Sequence, residues 1–151
     1  MQAFHGMIKE PLSVVLRGKH KRVYKVEPAA PVEEAVEMMS EHRIGSVLVE
    51  DARGRIVGIL TEREVVIGIV YRQRDPASTP VMDLMLKDPP VVSPNTSVEE
   101  AMSIMTERRL RQLPVAHEGE LIGLVSIGDL TKWMLEENHQ LVDFITGRYP
   151  G

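Results

Sequence analysis

The chain has 151 residues, of which 43% are hydrophobic, enough to bury the core of one domain or of two very small ones. The net charge is −4, so the chain lacks the basic surplus that a nucleic-acid-binding groove needs. It contains no cysteine, which excludes disulfides, thiolate nucleophiles and Cys-ligated zinc. The longest strongly apolar run, residues 65–71, is far shorter than the roughly 20 residues that span a bilayer, and residues 1–12 lack the apolar core of a secretory signal. We therefore expect a cytoplasmic globular protein without membrane contact or nucleic-acid partner.

An internal repeat organises the chain. Residues 32–49 align with residues 98–115 at an offset of 66, and eight of these 18 pairs are identical. At an offset of 65, residues 58–61 then align with residues 123–126, and Glu64 aligns with Asp129. We call the two parts copy one and copy two. Because each copy is too small to fold stably by itself, we expect the two copies to bury a face against each other.

Both copies show the same predicted order of elements: a short strand, an amphipathic helix, two strands joined by a glycine-containing turn, and a second helix. In copy one these elements cover residues 23–26, a helix from 32, 45–49, 56–60 and 62–72. In copy two they cover residues 91–92, a helix from 98, 113–116, 121–125 and 128–141. This order predicts an α/β or α+β protein made of two β-α-β-β-α motifs related by a pseudo-twofold axis.

The first helix of each copy is indicated by apolar residues at positions i, i+3, i+4 and i+7. These are Val32, Ala35, Val36 and Met39 in copy one, and Val98, Ala101, Met102 and Met105 in copy two. Ser97 with Glu100 fits a capping box at the second of these helices, whereas Pro31 stands in the place of Ser97 in copy one. We therefore expect the helix of copy one to begin with a weaker cap.

The predicted domain organisation follows the repeat. An N-terminal segment, a first motif, a proline-containing linker, a second motif, and a C-terminal helix end with its tail cover residues 1–22, 23–75, 76–88, 89–135 and 136–151. The last predicted helix is amphipathic, and its edge at Trp133 and Met134 is a predicted surface for a dimer or a partner.

Four sequence segments resemble motifs of the cystathionine-β-synthase (CBS) domain family. Residues 58–64 and 123–129 are similar to the closing motif of that family, which is Gly, two apolar residues, Ser or Thr, two variable residues and Asp. Residues 109–115 resemble its helix-to-strand motif, and residues 81–85 resemble the entry into the second domain of a tandem pair. The resemblance covers about residues 23 to 133, and the layout is similar to stand-alone proteins made of one CBS pair.

This resemblance implies a module with two clefts that bind AMP, ADP, ATP or NAD(H), less often S-adenosylmethionine, and that pairs into a homodimer. The implied residues of cleft one are Val23, Tyr24, Ile44, Gly45, Ser46, Ile59, Thr61, Arg63 and Glu64. The implied residues of cleft two are Pro89, Pro90, Leu110, Arg111, Gln112, Leu124, Ser126, Gly128 and Asp129.

The residue types fit these roles. Thr61 and Ser126 each precede a predicted helix, whose N-terminal N–H groups suit a phosphate. Glu64 and Asp129 are carboxylates that can accept hydrogen bonds from two ribose hydroxyls. Two apolar residues per copy are predicted walls for adenine: Ile44 and Ile59 in copy one, Leu110 and Leu124 in copy two.

Other interpretations of these residues stay open. A Ser or Thr before a helix is often only a cap, and an acid in the first turn often only offsets the helix dipole. Glu64 stands where the family usually has Asp, and Arg63 is either a phosphate ligand or a solvated surface residue. Ser46 and Gln112 occupy a place where related proteins carry phosphate-binding arginines, so we expect unequal clefts with lower affinity for polyphosphates.

Three functions compete at this stage. The leading interpretation is a non-catalytic sensor that binds adenosine nucleotides and regulates an unidentified protein partner or its own assembly. The alternative is a constitutive dimerisation scaffold with vestigial clefts. The third, an enzyme, finds no support, because the sequence shows no catalytic pair, no glycine-rich phosphate loop and no histidine pair at metal-ligand spacing.

Overall fold

The computed structural model describes residues 6–17, 22–137 and 146–147. Their contacts divide the chain into two compact units, Arg22–Pro89 on one side and Met1–Lys21 with Pro90–Gly151 on the other. The first unit contains copy one. The second combines copy two with the N-terminal segment, although the two are far apart in the sequence.

Copy one is built on a four-stranded sheet in the order β1-β2-β3-β4. The strands are β1 (Lys25–Val26), β2 (Ser46–Glu50), β3 (Ile56–Thr61) and β4 (Leu86–Lys87), and helix α2 (Val32–His42) connects β1 to β2. Strand β1 runs parallel to β2, whereas β2–β3 and β3–β4 are antiparallel. Side chains of α2 pack on one face of this sheet and form the core of the unit with Val26, Val32, Ala35, Met39, Val47, Val49, Leu60 and Val81.

Copy two repeats this plan around a hairpin. The elements are α4 (Val98–Arg108), β5 (Gln112–His117), β6 (Glu120–Ser126) and α5 (Ile127–Glu137). Val92 pairs in parallel with Val115 as an isolated bridge, in the place that β1 takes in copy one. The core of the unit is formed by Leu12, Val15, Val92, Val98, Ala101, Met105, Leu110, Leu113, Val115, Val125, Leu130 and Met134.

The helix ends follow the repeat closely. Ser97 Oγ accepts a hydrogen bond from the Glu100 N–H at 3.1 Å, whereas Pro31 provides no side-chain cap, which confirms the expected difference between the two helix starts. Both helices end on an arginine in the left-handed conformation, Arg43 with φ 53° and Arg109 with φ 54°. The equivalent arginines therefore end the two helices in the same way.

The N-terminal segment takes part in the core of copy two. Helix α1 (Leu12–Arg17) buries Leu12 completely, and the Leu12 N–H donates to the Thr96 carbonyl at 2.8 Å. The first N–H groups of α4 find their acceptors in the same segment: Val98 donates to the Glu10 carbonyl and Glu99 to the Ile8 carbonyl. The segment thus both caps α4 and fills the core beneath it.

The predicted linker does the same for copy one. The Val32 N–H donates to the Thr79 carbonyl at 2.8 Å, and the Glu33 N–H donates to the Pro76 carbonyl at 3.0 Å. Val81, in the 3-10 helix Val81–Asp83, is fully buried and donates its N–H to the Ala30 carbonyl. Residues 76–85 therefore occupy in copy one the position that residues 8–16 occupy in copy two.

The second helix of copy one departs from the prediction. Residues 62–72 were expected to form one regular helix, but α3 (Glu62–Val65) passes into a π-helix over Val66–Tyr71. Gly68 lies inside this π-helix with Leu84 packed against it, so closely that a β-carbon there would overlap the Leu84 side chain. The wider turn is consistent with this packing, and π-bulges often occur at functional positions.

The predicted partner surface on the last helix is wrong. Met134 is only 7% exposed and belongs to the core of copy two, and the half-buried Trp133 packs against that core. Both side chains are therefore used to stabilise their own unit. The tail predicted over residues 136–151 lies almost entirely outside the described residues. No helix in the described part of the chain is long and apolar enough to cross a membrane.

Candidate functional site

The strand register brings the predicted ligand residues of each copy to one face of its sheet. In copy one, Ser46 pairs with Thr61 and Leu48 pairs with Ile59. Directly paired residues of antiparallel strands share a face, and so do residues two apart in one strand. The intervening residues, among them Val47 and Leu60, belong to the core that α2 covers. Ser46, Thr61 and Ile59 therefore lie on the face opposite to that core.

Copy two shows the same register. Gln112 pairs with Ser126, and Pro114 pairs with Leu124. The intervening Leu113 and Val125 belong to the core of the unit. The repeat thus places Gln112 beside Ser126 as it places Ser46 beside Thr61. We call the groups around Thr61 and around Ser126 site one and site two.

Site one is organised by the start of α3. The Thr61 N–H donates to Oε2 of Glu64 at 3.1 Å, and the Thr61 hydroxyl donates to the same oxygen. The Glu62 N–H donates to the Gly45 carbonyl at 3.1 Å, which fixes the helix start against the beginning of β2. Arg63 is exposed on the first turn.

Site two is organised by the start of α5. The Ser126 N–H donates to Oδ2 of Asp129 at 2.9 Å, and the Asp129 N–H donates to Oγ of Ser126 at 2.9 Å. The Ile127 N–H donates to the Arg111 carbonyl at 2.9 Å, as Glu62 does to Gly45 in site one. The reciprocal pair is a capping box, so the capping interpretation of Ser126 and Asp129 describes a role that these residues have in the protein.

Ser46 is the unusual residue of site one. Its side chain is 3% exposed, and within the described residues its hydroxyl oxygen has no hydrogen-bond partner. Buried hydroxyl groups are almost always paired, because leaving water without a new partner is unfavourable. Ser46 therefore places a buried polar group directly opposite Thr61.

The predicted adenine walls differ in how much surface they offer. Ile59 is almost fully buried, and Leu110 belongs to the core of copy two. Ile44 and Leu124 are half-buried, and Ile44 packs against the core of copy one. Ile44 and Leu124 therefore offer more surface to a ligand than Ile59 and Leu110 do.

The remaining predicted residues lie at the edges of the two sites. Arg111 and Gly128 are exposed at site two, and Gly45 is exposed at site one. Pro90 belongs to the unit of site two, but Pro89 ends the other unit, so site two is described without Pro89.

Tyr24 is held by a neighbour that the sequence did not suggest. Its ring stacks on His42, with 3.9 Å between the ring centroids, and the guanidinium of Arg22 lies 5.9 Å above it. The Tyr24 carbonyl accepts the Leu48 N–H, which anchors the entry of β1 on β2. His42 is exposed at the end of α2, and this stacking gives it a structural contact. Val23 is half-buried beside Tyr24.

Neither site shows the groups of a metal centre. Among the described residues, no three His, Asp or Glu side chains come together as metal ligands do. Asp51, in the β2–β3 turn, has a lowered pKa because the backbone N–H groups of Arg55 and Arg53 donate hydrogen bonds to its carboxylate. Asp51 therefore stabilises the turn between the two strands and takes no part in either site.

Comparisons with known proteins agree with the fold. The CBS domain family matches residues 19–71 and 81–136. An uncharacterised 17.7 kDa protein of Acidianus ambivalens is 40% identical over 76% of this chain and 69% of its own length. The CBS domain-containing protein YhcV of Bacillus subtilis is 32% identical over 72% of this chain and 76% of its own length.

A solved structure agrees as well. A putative signal-transduction protein with CBS domains from Burkholderia ambifaria superposes with a TM-score of 0.80 at 37% identity, over 85% of this chain and 96% of the other. The predicted α+β class and the resemblance to tandem CBS pairs are both confirmed. The chain therefore belongs to the CBS domain family and carries two CBS domains in tandem.

Proposed function

We propose that this protein is a non-catalytic regulatory module that binds adenosine compounds at site one and site two. Tandem CBS domains are generally regulatory modules. The observation that carries the proposal is an arrangement built twice: a hydroxyl residue that ends a strand, and an acid three residues later that hydrogen-bonds back to it. The expected ligands are AMP, ADP, ATP or NAD(H).

The geometry of the helix starts supports ligand binding. Each carboxylate is already oriented by the N–H at the end of its strand, so little side-chain entropy is lost when a ligand binds. An ionised carboxylate offers about four acceptor positions and can accept further hydrogen bonds from ribose hydroxyls. The positive end of the helix dipole and the hydroxyl of the strand end would face the phosphate.

Regulation would follow from linkage. A ligand shifts the module only by the difference in its affinity for two arrangements. Each site lies where two strand ends meet a helix start, so a bound ligand can favour one relative position of these elements over another. The expected output is a changed affinity for a protein partner or a changed assembly of the module itself, and we propose a homodimer as its basic form.

A constitutive scaffold is the second candidate, and one observation favours it. The residues predicted to bind ligand in both copies form capping hydrogen bonds in the protein. Such bonds stabilise helix starts without any ligand. A scaffold would need Thr61, Glu64, Ser126 and Asp129 only for this purpose.

A thermal-shift screen separates the two candidates. The compounds are AMP, ADP, ATP, NADH and S-adenosylmethionine. A ligand at 100 times its Kd adds about 2.7 kcal/mol to the free energy of unfolding, which raises the melting temperature of a protein of this size by several degrees. No shift with any compound would favour the scaffold.

We also expect ATP to stay intact when it is incubated with the protein. Sustained phosphate release that is lost in Ser126→Ala would contradict a non-catalytic role.

A further inference from the structure

The π-helix of copy one exposes apolar side chains on the side away from its core. A π-helix closes its hydrogen bonds between residues i and i+5, so residues four and five positions apart lie on one face. On the inner face, Val65 and Ile69 pack against the core of copy one, and Gly68 is buried. The opposite face carries four exposed residues, which we call the apolar stripe: Val66, Ile67, Val70 and Tyr71.

The equivalent face of copy two is polar. At the offset of 65, the positions of the apolar stripe correspond to Thr131, Lys132, Leu135 and Glu136. Lys132 Nζ lies 3.9 Å from Oε1 of Glu136, and both side chains are exposed on α5. The shared fold therefore does not require apolar residues at these positions, and the apolar stripe belongs to copy one alone.

The apolar stripe is large for a surface that faces water. Val70 is 71% exposed and Tyr71 is 82% exposed. Together the four residues expose on the order of 400 Å² of largely apolar surface, as much as the largest patches on typical monomers, which are often functional. A standard interface buries about 800 Å² per partner, a little more than half of it apolar. The apolar stripe thus provides the apolar area that one side of a stable dimer needs.

Opposite charges stand at the two ends of the apolar stripe. Exposed Glu62 begins α3, and exposed Arg72 directly follows the π-helix. If two chains pair antiparallel about a twofold axis, Glu62 faces Arg72 of the partner subunit at both ends, whereas parallel pairing brings like charges together. Pairing the apolar stripe with α5 would instead bury Lys132 and Glu136, which costs desolvation free energy.

From the area, the charges and the contrast between the copies, we infer that two chains pair through the apolar stripe. Copy one then meets copy one, with the π-helices antiparallel about a twofold axis that passes near Ile67, midway between Glu62 and Arg72. The inference rests on the proposed function, of which it uses the homodimer and not the ligand.

Light scattering coupled to gel filtration, over a series of protein concentrations, tests this surface on the full chain without ligand. Val66→Glu should weaken the dimer by about a hundredfold or more, because the twofold axis buries the new charge twice. Val66 is exposed within one chain, so the variant should stay folded by circular dichroism. The matched control is Thr131→Glu at the equivalent exposed position of copy two, which should leave the dimer unchanged.

Charge reversal tests the antiparallel arrangement. Glu62→Arg and Arg72→Glu should each weaken the dimer by about fivefold, since the axis repeats each contact. The double variant restores opposite charges at both ends and should bring the dimer back to the strength of the wild type. A double variant that is weaker than either single variant would contradict the antiparallel arrangement.

A crosslink gives a readout that does not depend on weakening the dimer. The chain contains no cysteine, so a single introduced thiol can form a disulfide only with the same residue of another chain. Ile67→Cys, near the axis, should give a covalent dimer on mild oxidation with diamide, because a disulfide needs the two Cα atoms within about 7 Å. Lys132→Cys, at the equivalent position of copy two, should stay largely uncrosslinked.

The outcomes separate this inference from the proposed function. A wild-type mass of 17.0 kDa at every concentration would contradict the homodimer itself. If the wild type is a dimer that Val66→Glu leaves intact, or that Lys132→Cys crosslinks as readily as Ile67→Cys, only the pairing through the apolar stripe is wrong. A Val66→Glu protein of dimer mass with a much lower melting temperature would show that the apolar stripe packs within its own chain, and would also overturn the inference.

Discussion

At the scale of single residues, each helix start of the two candidate sites combines a hydroxyl side chain with a carboxylate three residues later. The spacing of Thr61 and Glu64, and of Ser126 and Asp129, was enough to place a hydroxyl and a carboxylate at each helix start. Both helix starts carry a reciprocal capping box between the hydroxyl residue and the acid three residues later, and Glu64 Oε2 accepts in addition from the Thr61 hydroxyl. Among the residues that the structure describes, the Ser46 hydroxyl has no hydrogen-bond partner, and this depends on tertiary packing that the sequence pattern does not reveal.

We predict that Asp129→Ala weakens AMP binding at site two by tenfold or more. The change removes a charged acceptor, worth about 1.5–3 kcal/mol per hydrogen bond. Because the capping box is lost as well, the free energy of unfolding should fall by about 1 kcal/mol. Asp129→Asn should give an intermediate affinity, and Glu64→Ala should matter less for AMP. Calorimetry and denaturant unfolding measure both quantities, and an Asp129→Ala protein that binds like wild type but is much less stable would make Asp129 only a cap.

At the scale of elements, the sequence predicted both repeated helices and both hairpins, because their apolar periods are strong and nearly identical between the copies. It did not reveal that residues 8–16 and 76–85 are equivalent. The signal is short: Pro11 and Pro80 are identical, and apolar residues follow each at the first, fourth and fifth positions. Such a match of six residues becomes meaningful only once the hydrogen bonds to α2 and α4 are known.

The N-terminal segment should therefore behave as part of the core of copy two. Leu12→Ala removes a fully buried side chain and should lower the free energy of unfolding by about 2–5 kcal/mol. Met82→Ala, at an exposed position of the equivalent segment of copy one, should cost no more than about 0.5 kcal/mol. Equilibrium unfolding in urea measures both values. Equal small losses would show that the segment does not contribute to the core.

Two glycines at equivalent positions should respond differently to alanine. A β-carbon at Gly58 would overlap the Met85 sulfur and lie 3.0 Å from the Leu86 carbonyl, which β4 holds in place. Among the described residues, the counterpart at Gly123 would meet only Leu16 Cδ2, at 3.2 Å. We expect Gly58→Ala to cost about 1–3 kcal/mol and Gly123→Ala less than about 1 kcal/mol. Chemical denaturation measures both free energies of unfolding. A larger loss for Gly123→Ala than for Gly58→Ala would contradict the packing described for the two glycines.

At the scale of the whole molecule, the repeat gives each copy its own core and its own candidate site. From the sequence we expect two unequal clefts, and the residues at equivalent positions differ in charge, since Glu62 and Arg63 of copy one correspond to Ile127 and Gly128 of copy two. The ligand of each site cannot be deduced from the repeat alone, because the identities that define the repeat lie mainly in the core and the helix ends. Differences between the copies therefore carry the functional information.

We predict that the protein is a homodimer in solution. Closed twofold pairing is the commonest form of oligomer, and twice the mass of 17.0 kDa is about 34 kDa. Light scattering coupled to gel filtration measures this mass at micromolar concentration. A mass of 17.0 kDa that persists with and without AMP would contradict the prediction.

The central claim is that adenosine compounds bind at the two helix starts, and calorimetric titration with AMP tests it most directly. The wild-type protein should show saturable binding, with heat that disappears in the double variant Glu64→Ala and Asp129→Ala. Circular dichroism and the melting curve should show the double variant still folded at the titration temperature, because each lost cap costs only about 1 kcal/mol. Wild-type protein that gives no binding heat or melting shift with AMP, or a folded double variant that binds AMP like wild type, would contradict the account.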